Sequence, residues 1–521
     1  MSKAQKNNSA KATNYYKRGT VYYDKGDYDK AILDFTKALE LEVEDKSELY
    51  YLRGDCYYEQ DNQDGALADF NNALELNPNL VDAYAKRAWV HYYKNNIDLS
   101  LVDFSKAIEL DPKNDFAYNG RGNVYHDQNE LDKALEDFTQ SIKLAPTWFA
   151  PYCNRGKLYY DRDELKLALA DFKKSARLDS SYNPTYDFLG DVYYDQNKLT
   201  KALESYNQSL SLDPRYGESY YGRGWIYKDR GLLNKALADF NKAIKLQPSD
   251  AYNYYARAEV YSDKGLISRA LQDLHKSIEL DPNFHIAYCK RADIYYDLGK
   301  LDRALEDYNK TLELDPSTTN ANYNRGLIYQ DQDQWELALA DFSKAVELDP
   351  ENGDTYFYLG LTCKEIGQLD KALTAFDKHI SINGDCTSTY SQCGQIYSQQ
   401  GETEKALQVF NKALELDKTN SEGYFHRGLI HYNKQIWDLA LSDFNKTLKY
   451  EPQHPEALYY QALVYRQQGK LYKALENLTK SLKYQPKNPD VYNQRGLIYE
   501  QLGRKLSAKD NFQKAEKLIK P

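Results

Sequence analysis

Long hydrophobic runs and an excess of positive charge are both missing from this sequence of 521 residues. No stretch approaches the roughly 18 consecutive apolar residues of a membrane-spanning helix, so the sequence predicts no membrane partner. The N-terminus, MSKAQKNNSAKAT, lacks the apolar segment of a secretory signal. The net charge of −10 and the pI of about 5.5 argue against a nucleic-acid partner, because such partners are held through their phosphates.

The side-chain clusters of enzymes and metal sites are missing as well. The six cysteines are scattered without zinc-ligand spacing, and Cys386 and Cys393 are the nearest two, which is typical of a reduced, cytoplasmic protein. Among the eight histidines, the close pair His426 and His431 does not share a helix face. No phosphate-binding loop or nucleophile motif occurs. We therefore expect no catalytic residue, no metal and no cofactor.

One pattern fills the chain instead, and residues 217–250 show it best: GESYYGRGWIYKDRGLLNKALADFNKAIKLQPSD. Two sets of apolar or small residues have the i, i+4, i+7 spacing of a helix face: Tyr220, Gly224 and Tyr227, then Ala236, Phe240 and Ala243. Gly231 between them suits a left-handed turn, and Pro248 ends the second set. The pattern predicts two short helices joined by a turn, which need neighbours to bury their apolar faces.

This unit runs fifteen times, with 34 residues between successive starts and one extra residue between the first two units. The starts are Ala12, Ser47, Val81, Asp115, Phe149, Asn183, Gly217, Ala251, His285, Thr319, Gly353, Thr387, Ser421, Pro455 and Pro489. We number the repeats 1 to 15 from these positions. The sequence thus predicts a disordered segment over residues 1–11 and one continuous array over residues 12–521, whose core grows with each repeat.

Four features recur in most units: an aromatic and then a small residue in the first helix, an Ala-x3-Phe pair in the second, and a closing proline. Repeat 4 shows them as Tyr118, Gly122, Ala134 with Phe138, and Pro146. With a period of 34, this pattern resembles the tetratricopeptide repeat (TPR). The resemblance implies an all-α, right-handed superhelical TPR solenoid with a concave groove lined by the first helices. It also implies a non-enzymatic, protein-binding role.

A charge pattern within the repeats predicts a structural ion pair. Ten repeats have Arg before the small residue of the first helix and Asp before the central Phe of the second, as in Arg121/Asp137, Arg223/Asp239 and Arg325/Asp341. Four repeats lack both charges, and only repeat 15 keeps Arg495 without the Asp. We hypothesise a bidentate bridge inside each repeat. One alternative is that each Arg pairs with the Asp of the preceding repeat, but Asp341 would then face Leu359 and have no partner. The other alternative is coincidence produced by recent duplication of the repeats.

Repeats 11 and 12 are adjacent and lack both the charge pair and the closing proline, which Gly384 and Lys418 replace. Residues 353–420 are therefore the predicted soft point of the array.

A second face of the first helix is predicted to bind a partner. In repeats 1 to 9 it carries an aromatic stripe, made of Tyr23, Tyr58, Trp89, Tyr92, Tyr160, Tyr194, Tyr221, Trp225 and Tyr296. The next position carries an acidic ladder, which includes Asp127, Asp161, Asp195, Asp229, Asp263 and Asp297. Acids in the last turn of a helix oppose its dipole, so their recurrence points to another cause. One interpretation is an extended, basic or aromatic protein segment that the stripe and ladder bind. The other is solvated acids, or acids paired with neighbouring Lys and Arg.

From repeat 10 onward the same face becomes apolar. This apolar zone consists of Phe357, Leu361, Phe425, Leu429, Tyr459 and Leu463. It suits the docking of an amphipathic helix. Ordinary packing between first helices is the alternative, and the exposure of these side chains decides between the two.

The Lys, Asn and Arg pattern with which some TPR proteins bind a chaperone's C-terminal carboxylate is missing, since repeat 4 places Asn119 where the pattern needs Lys. The sequence therefore predicts a cytoplasmic, non-enzymatic scaffold or adaptor for protein and peptide partners, without a chaperone-tail clamp. The alternative is an obligate structural or regulatory subunit of a larger complex.

Overall fold

A computed structural model describes residues 3–41 and 45–519. Within these ranges the chain forms thirty α-helices and no strand, so the predicted all-α class is confirmed. The helices belong to two compact units, Met1–Leu280 and Asp281–Pro521. In each unit, consecutive helices pair as the two arms of one sequence repeat.

The first unit contains sixteen helices, two for each of repeats 1 to 8. They are α1 (Lys3–Asp24), α2 (Tyr28–Leu39), α3 (Ser47–Glu59), α4 (Gln63–Leu76), α5 (Val81–Tyr93), α6 (Ile97–Leu110), α7 (Asp115–Asp127), α8 (Leu131–Leu144), α9 (Phe149–Asp161), α10 (Leu165–Leu178), α11 (Asn183–Asp195), α12 (Leu199–Leu212), α13 (Gly217–Asp229), α14 (Leu233–Leu246), α15 (Ala251–Asp263) and α16 (Ile267–Leu280).

The second unit contains fourteen helices, two for each of repeats 9 to 15. They are α17 (His285–Asp297), α18 (Leu301–Leu314), α19 (Thr319–Asp331), α20 (Trp335–Leu348), α21 (Gly353–Glu365), α22 (Leu369–Asn383), α23 (Thr387–Gln399), α24 (Thr403–Leu416), α25 (Ser421–Asn433), α26 (Trp437–Tyr450), α27 (Pro455–Gln467), α28 (Leu471–Tyr484), α29 (Pro489–Gln501) and α30 (Lys505–Ile519).

The turn inside each repeat has the left-handed backbone that its residue type predicts. Gly231 has a φ of 68° between α13 and α14, and Gly, Asn or Asp takes the same conformation in the other turns except one. The exception is Gln435, which adopts a φ of 60° despite its side chain. The turn is therefore imposed by the packing of the two helices, and the residue type only makes it easier.

Most hairpins close by inserting the central aromatic ring of the second helix against the small residue of the first, and Leu274 and Leu478 take the place of the ring in repeats 8 and 14. In repeat 7, Phe240 is fully buried, and a Cβ added at Gly224 would lie 2.7 Å from its Cε1 atom. Ala236 and Ala243 on the same face are fully buried as well. The small residue is thus needed because the ring occupies the space of a side chain.

The hairpins stack within each unit. The second helix of one repeat packs against the first helix of the next, and most successive first helices also contact each other, as α11 and α13 do. The first helices therefore form a continuous layer in each unit, and this layer carries the candidate site.

One expectation for the N-terminus is corrected. Helix α1 begins at Lys3, so residues 3–11 are helical where the sequence predicts disorder. Several residues of this segment are Ala, Lys or Gln, which are good helix formers. Residues 1 and 2 lie outside the described residues, as do residues 42–44, which belong to the link that holds the extra residue between repeats 1 and 2.

Residues 353–420 remain the predicted soft point. At the end of α22, Gly384 takes a φ of 82° in place of the closing proline, and no Arg–Asp pair is possible in either repeat. We expect the backbone amides of α21 to α24 to exchange with deuterium at least about tenfold faster than those of repeats 7 to 9 under native conditions. Equal protection in the two regions would contradict the prediction.

Candidate functional site

The predicted charges meet inside each repeat. In repeat 7, Nε and Nη2 of Arg223 donate to Oδ2 and Oδ1 of Asp239 at 2.7 and 2.8 Å. The Asp239 side chain is 9% exposed and that of Arg223 is 18% exposed, so the pair is largely withdrawn from water. The same bidentate geometry joins Arg18/Asp34, Arg53/Asp69, Arg87/Asp103, Arg121/Asp137, Arg155/Asp171, Arg257/Asp273, Arg291/Asp307, Arg325/Asp341 and Arg427/Asp443.

The same arginines also bind the preceding repeat, which the sequence analysis missed. The remaining nitrogen of Arg223, Nη1, donates to Oδ1 of Asn207 on the second helix of repeat 6 at 2.7 Å. Equivalent bonds run from Arg53 to Thr36, Arg87 to Asn71, Arg121 to Ser105, Arg155 to Thr139, Arg257 to Asn241, Arg325 to Asn309 and Arg427 to Asn411. A recurring Asn, Ser or Thr sixteen residues before the Arg, or seventeen in the case of Thr36, was the available signal. Eight of the ten guanidinium groups thus join two neighbouring repeats.

The aromatic stripe lies on the first-helix layer, but its rings are half-buried. Trp89 packs edge-on against Phe104, with ring centres 5.6 Å apart, and Trp225 does the same against Phe240 at 5.8 Å. Tyr221 contacts Trp225 and also Phe240. These rings cover the core as well as line the surface. Replacing either tryptophan would therefore disturb packing and could not report binding alone.

In repeats 4 to 7 each acid of the ladder is held by a Tyr or His of the preceding repeat. Tyr92 donates a short hydrogen bond to Oδ2 of Asp127, and Tyr194 donates to Oδ2 of Asp229 at 2.6 Å. Nε2 of His126 lies 2.7 Å from Oδ2 of Asp161. Burial raises the pKa of Tyr160, and the hydrogen bond of Tyr160 to Asp195 raises it further. The ladder acids are thus bound by Tyr and His of the preceding repeat, a pairing that neither sequence interpretation contained.

The carboxylates remain accessible despite these bonds. The Asp127 side chain is 47% exposed and that of Asp161 is 39% exposed. Asp195 and Asp229 are exposed too. The ladder over repeats 4 to 7 is therefore a row of four anchored carboxylates, one for each repeat.

Ammonium groups of the chain itself already occupy two places along the stripe. Lys228 Nζ lies 5.1 Å from the centre of the Trp225 ring, 3.1 Å from Glu259 and 3.7 Å from Asp263. Lys86 Nζ lies 4.8 Å from the Tyr58 ring and 2.7 Å from Oδ1 of the buried Asp55, whose other oxygen accepts from Tyr23. The ammonium group of Lys228 thereby offsets part of the negative charge of Asp263.

In the second unit, Tyr296 is half-buried and Asp297 is exposed. Burial and the carboxylate of Asp331 raise the pKa of Tyr296. From repeat 12 onward the acids of the ladder give way to the amides of Gln399, Asn433, Gln467 and Gln501.

The apolar zone is not an exposed surface. Phe425 is 8% exposed and packs against Phe444, and its ring centre lies 4.5 Å from that of His454. The others, Phe357, Leu361, Leu429, Tyr459 and Leu463, are all half-buried. Phe425 thus belongs to the core, as the packing interpretation expects, and docking of an amphipathic helix on the half-buried remainder stays a prediction.

Buried carboxyl groups in repeats 6 and 9 were not assigned from the sequence. Tyr206 donates to Oδ1 of Asp191 at 2.6 Å, and Tyr308 donates to Oδ1 of Asp293 at 2.7 Å. Only these two repeats have Tyr at the central Phe position. Both also have Asp in the matching first-helix position, and this coincidence was the available signal.

Among residues 3–41 and 45–519, no helix has both the length and the apolar character to cross a membrane. The same residues contain no group of three or more His, Cys, Asp or Glu side chains arranged for a metal ion.

Family profiles match the chain along most of its length. A profile described as "TPR repeat" matches residues 89–128, 190–231, 292–333, 394–435 and 462–503. Profiles described as "Tetratricopeptide repeat" match residues 16–80, 116–147, 217–250, 251–284, 319–352, 342–374, 427–476 and 489–520. No curated protein sequence matches the chain.

Solved structures give partial matches. YrrB, described as "a TPR protein with an unusual peptide-binding site", is 29% identical, with 36% of this chain and 95% of YrrB covered and a TM-score of 0.33. MamA is 27% identical, with 32% and 97% covered and a TM-score of 0.28. The APC/C hetero-tetramer Cut9–Hcn1 is 15% identical, with 86% and 95% covered and a TM-score of 0.46.

Proposed function

Because the chain belongs to the tetratricopeptide repeat family, we propose that it is a non-catalytic protein-interaction scaffold. The binding surface that we propose is the first-helix layer of repeats 4 to 7, residues 115–250. Its partner is an extended protein segment that carries several Lys or Arg residues.

The anchored carboxylates of Asp127, Asp161, Asp195 and Asp229 are the observation that carries this proposal. Each has its orientation fixed by a Tyr or His of the preceding repeat, yet stays open to solvent. A carboxylate that is already held loses little side-chain entropy when a cation binds. Four such groups in consecutive repeats favour a segment with repeated positive charge over a single cation.

The internal lysines support the same partner chemistry. Lys86 and Lys228 each lie between a stripe ring and a carboxylate of the same layer. They show that this layer accommodates an ammonium through cation–π and ionic contacts together. A lysine from a partner can make the same contacts at Tyr160 or Tyr194. No lysine of the described residues lies over either of these two rings.

The test uses the full chain and a fluorescent peptide of alternating Lys and Gly. A variant with Asp127, Asp161, Asp195 and Asp229 all changed to Asn is expected to bind it at least about tenfold more weakly at low salt, a loss of about 1.4 kcal/mol. Asparagine still accepts the anchoring hydrogen bonds. Repeats 12 to 14 already carry Gln399, Asn433 and Gln467 at this position, so the fold tolerates the amide.

A matched control removes the same charge from the second helices of the same unit, by Asp64→Asn, Glu109→Gln, Asp132→Asn and Glu279→Gln. If this control weakens peptide binding as much as the ladder variant does, net charge alone explains the affinity and the proposed surface is wrong. If a native partner is retained by the ladder variant and lost only after replacements outside the layer, the chain acts as a structural subunit instead.

A further inference from the structure

The link between α22 and α23 departs from the repeat pattern at three places. His379 stands at a second-helix position where the other fourteen repeats have Ala, Ser or Thr. Gly384 replaces the closing proline, and Cys386 takes the N-cap position of α23. These departures surround one cleft of about 790 Å³ that Cys386 and His379 both line.

Cys386 differs from every other cysteine of the chain. The remaining five cysteines are buried, whereas Cys386 is partly exposed. Burial raises the pKa of Cys153 to about 11 and those of Cys56, Cys289 and Cys393 to about 12. Thiols of this kind are inert, because the thiolate is the reactive form.

The surroundings of Cys386 favour its thiolate. Its Sγ lies 3.1 Å from Oγ of Ser388, at the N-terminus of a thirteen-residue helix. Burial alone would raise the pKa of this thiol. Hydrogen bonds to its sulfur, led by those from Ser388 and the Thr389 backbone N–H, outweigh burial and lower the pKa to about 6.

His379 is placed to receive the thiol proton. Its Nδ1 lies 3.0 Å from the carbonyl oxygen of Gly353, which only accepts, so Nδ1 carries the proton of the neutral ring. The residue is 6% exposed, and its Nε2 has no hydrogen-bond partner among the described residues. In other repeats Ser or Thr makes the same bond to the first carbonyl of the repeat, as Ser277 does to Ala251, so the Nδ1 bond is structural and Nε2 alone is left for the cleft.

We propose that Cys386 is a reversible thiol-modification site, activated by His379, for small disulfides that carry positive charge. The preference for positive charge follows from the cleft, which Asp354, Asp385, Asp417 and Glu422 line and no Lys or Arg does. Two basic side chains lie near the cleft without lining it. Lys412 is 3.0 Å from Asp385, and His426 is paired with Glu422.

The step is a thiol–disulfide exchange. The proton of Cys386 moves to Nε2 of His379, and the thiolate attacks one sulfur of the disulfide. A bond forms between Sγ and that sulfur, the S–S bond of the reagent breaks, and its other half leaves as a thiolate that takes up a proton. The Cys386 sulfur is oxidised and the departing sulfur is reduced, so no further oxidant is needed.

The test treats the full chain with cystamine, a small dicationic disulfide, and follows the adducts by intact mass and peptide mapping. We expect one adduct, at Cys386, with a rate that follows an apparent pKa near 6. The dianionic reagent dithiobis(nitrobenzoate) is expected to react more slowly relative to a free thiol, with a difference that shrinks at high salt.

His379→Ser provides the matched variant, because Ser is a normal residue at this position in other repeats. At pH 6.5 its cystamine reaction is expected to be about tenfold slower, with the pH profile shifted towards that of an ordinary thiol near 8.5. Ser388→Ala, at an exposed site, removes the strongest of the hydrogen bonds that lower the pKa, so it is expected to shift the profile in the same direction at least as far. An unshifted profile in His379→Ser, a wild-type profile centred near 8.5, or equal labelling of several cysteines in the native chain would overturn the proposal.

Discussion

Arg223→Leu is expected to lower the local free energy of unfolding of repeat 7 by about 3–5 kcal/mol, the cost of leaving a buried charge without its partner. The Asp239 carboxylate, 9% exposed, loses both hydrogen bonds from the guanidinium, and Asn207 of repeat 6 loses a third. Hydrogen exchange of the α13 and α14 amides measures this change in the affected repeat. A single melting temperature of a repeat array does not resolve individual repeats.

The control is the double variant Arg223→Leu with Asp239→Ala, which recreates the pair that repeat 11 carries as Leu359 and Ala375. We expect it to recover most of the loss, because removing both charges leaves no carboxylate buried alone. Burial raises the pKa of Asp137 even though Arg121 binds it, so desolvation is a large cost in these pairs. The stranded-charge explanation fails if the double variant is no more stable than the single one.

Lowering the pH from about 7 to about 5 is expected to stabilise repeat 6 through Asp191. Burial raises the pKa of this carboxyl to about 6, although Tyr206 donates to it. Its unfolded pKa is about 3.9. Because the folded pKa is the higher one, the folded state binds the proton more tightly. The resulting stability is fully present below about 3.9 and is lost as the pH rises through about 6. Between pH 7 and pH 5 this gain is about 1.3 kcal/mol, and over the full range it approaches about 3 kcal/mol.

Asp191→Asn isolates this effect from the other groups that titrate. The variant is expected to be more stable than the native chain at pH 7, with an advantage that largely disappears by pH 4. The substitution also removes the negative charge of Asp191, which helps to raise the pKa of Asp187. The stability difference at pH 7 therefore includes the loss of this repulsion. Hydrogen exchange of α11 and α12, corrected for the intrinsic pH dependence, gives the comparison. A stability difference that is independent of pH would contradict the assignment.

The sequence alone determined the repeat, its turns and its packing faces. A period of 34 fixes which residues are equivalent, and equivalence then separates the buried ring of Phe240 and the small Gly224 from the variable surface. Comparing repeats also singled out Arg223 and Asp239 as partners, because both charges are present or absent together.

Only the tertiary structure decided what each face contacts in the neighbouring repeat. The third nitrogen of Arg223 reaches Asn207, Tyr194 anchors Asp229, and Phe425 is covered by its neighbours. A pattern along one helix tells which side chains share a face, but the next repeat determines how much of that face stays open. For this reason the burial of Phe425 and the cleft of Cys386 and His379 became visible only once the neighbouring helices were placed together.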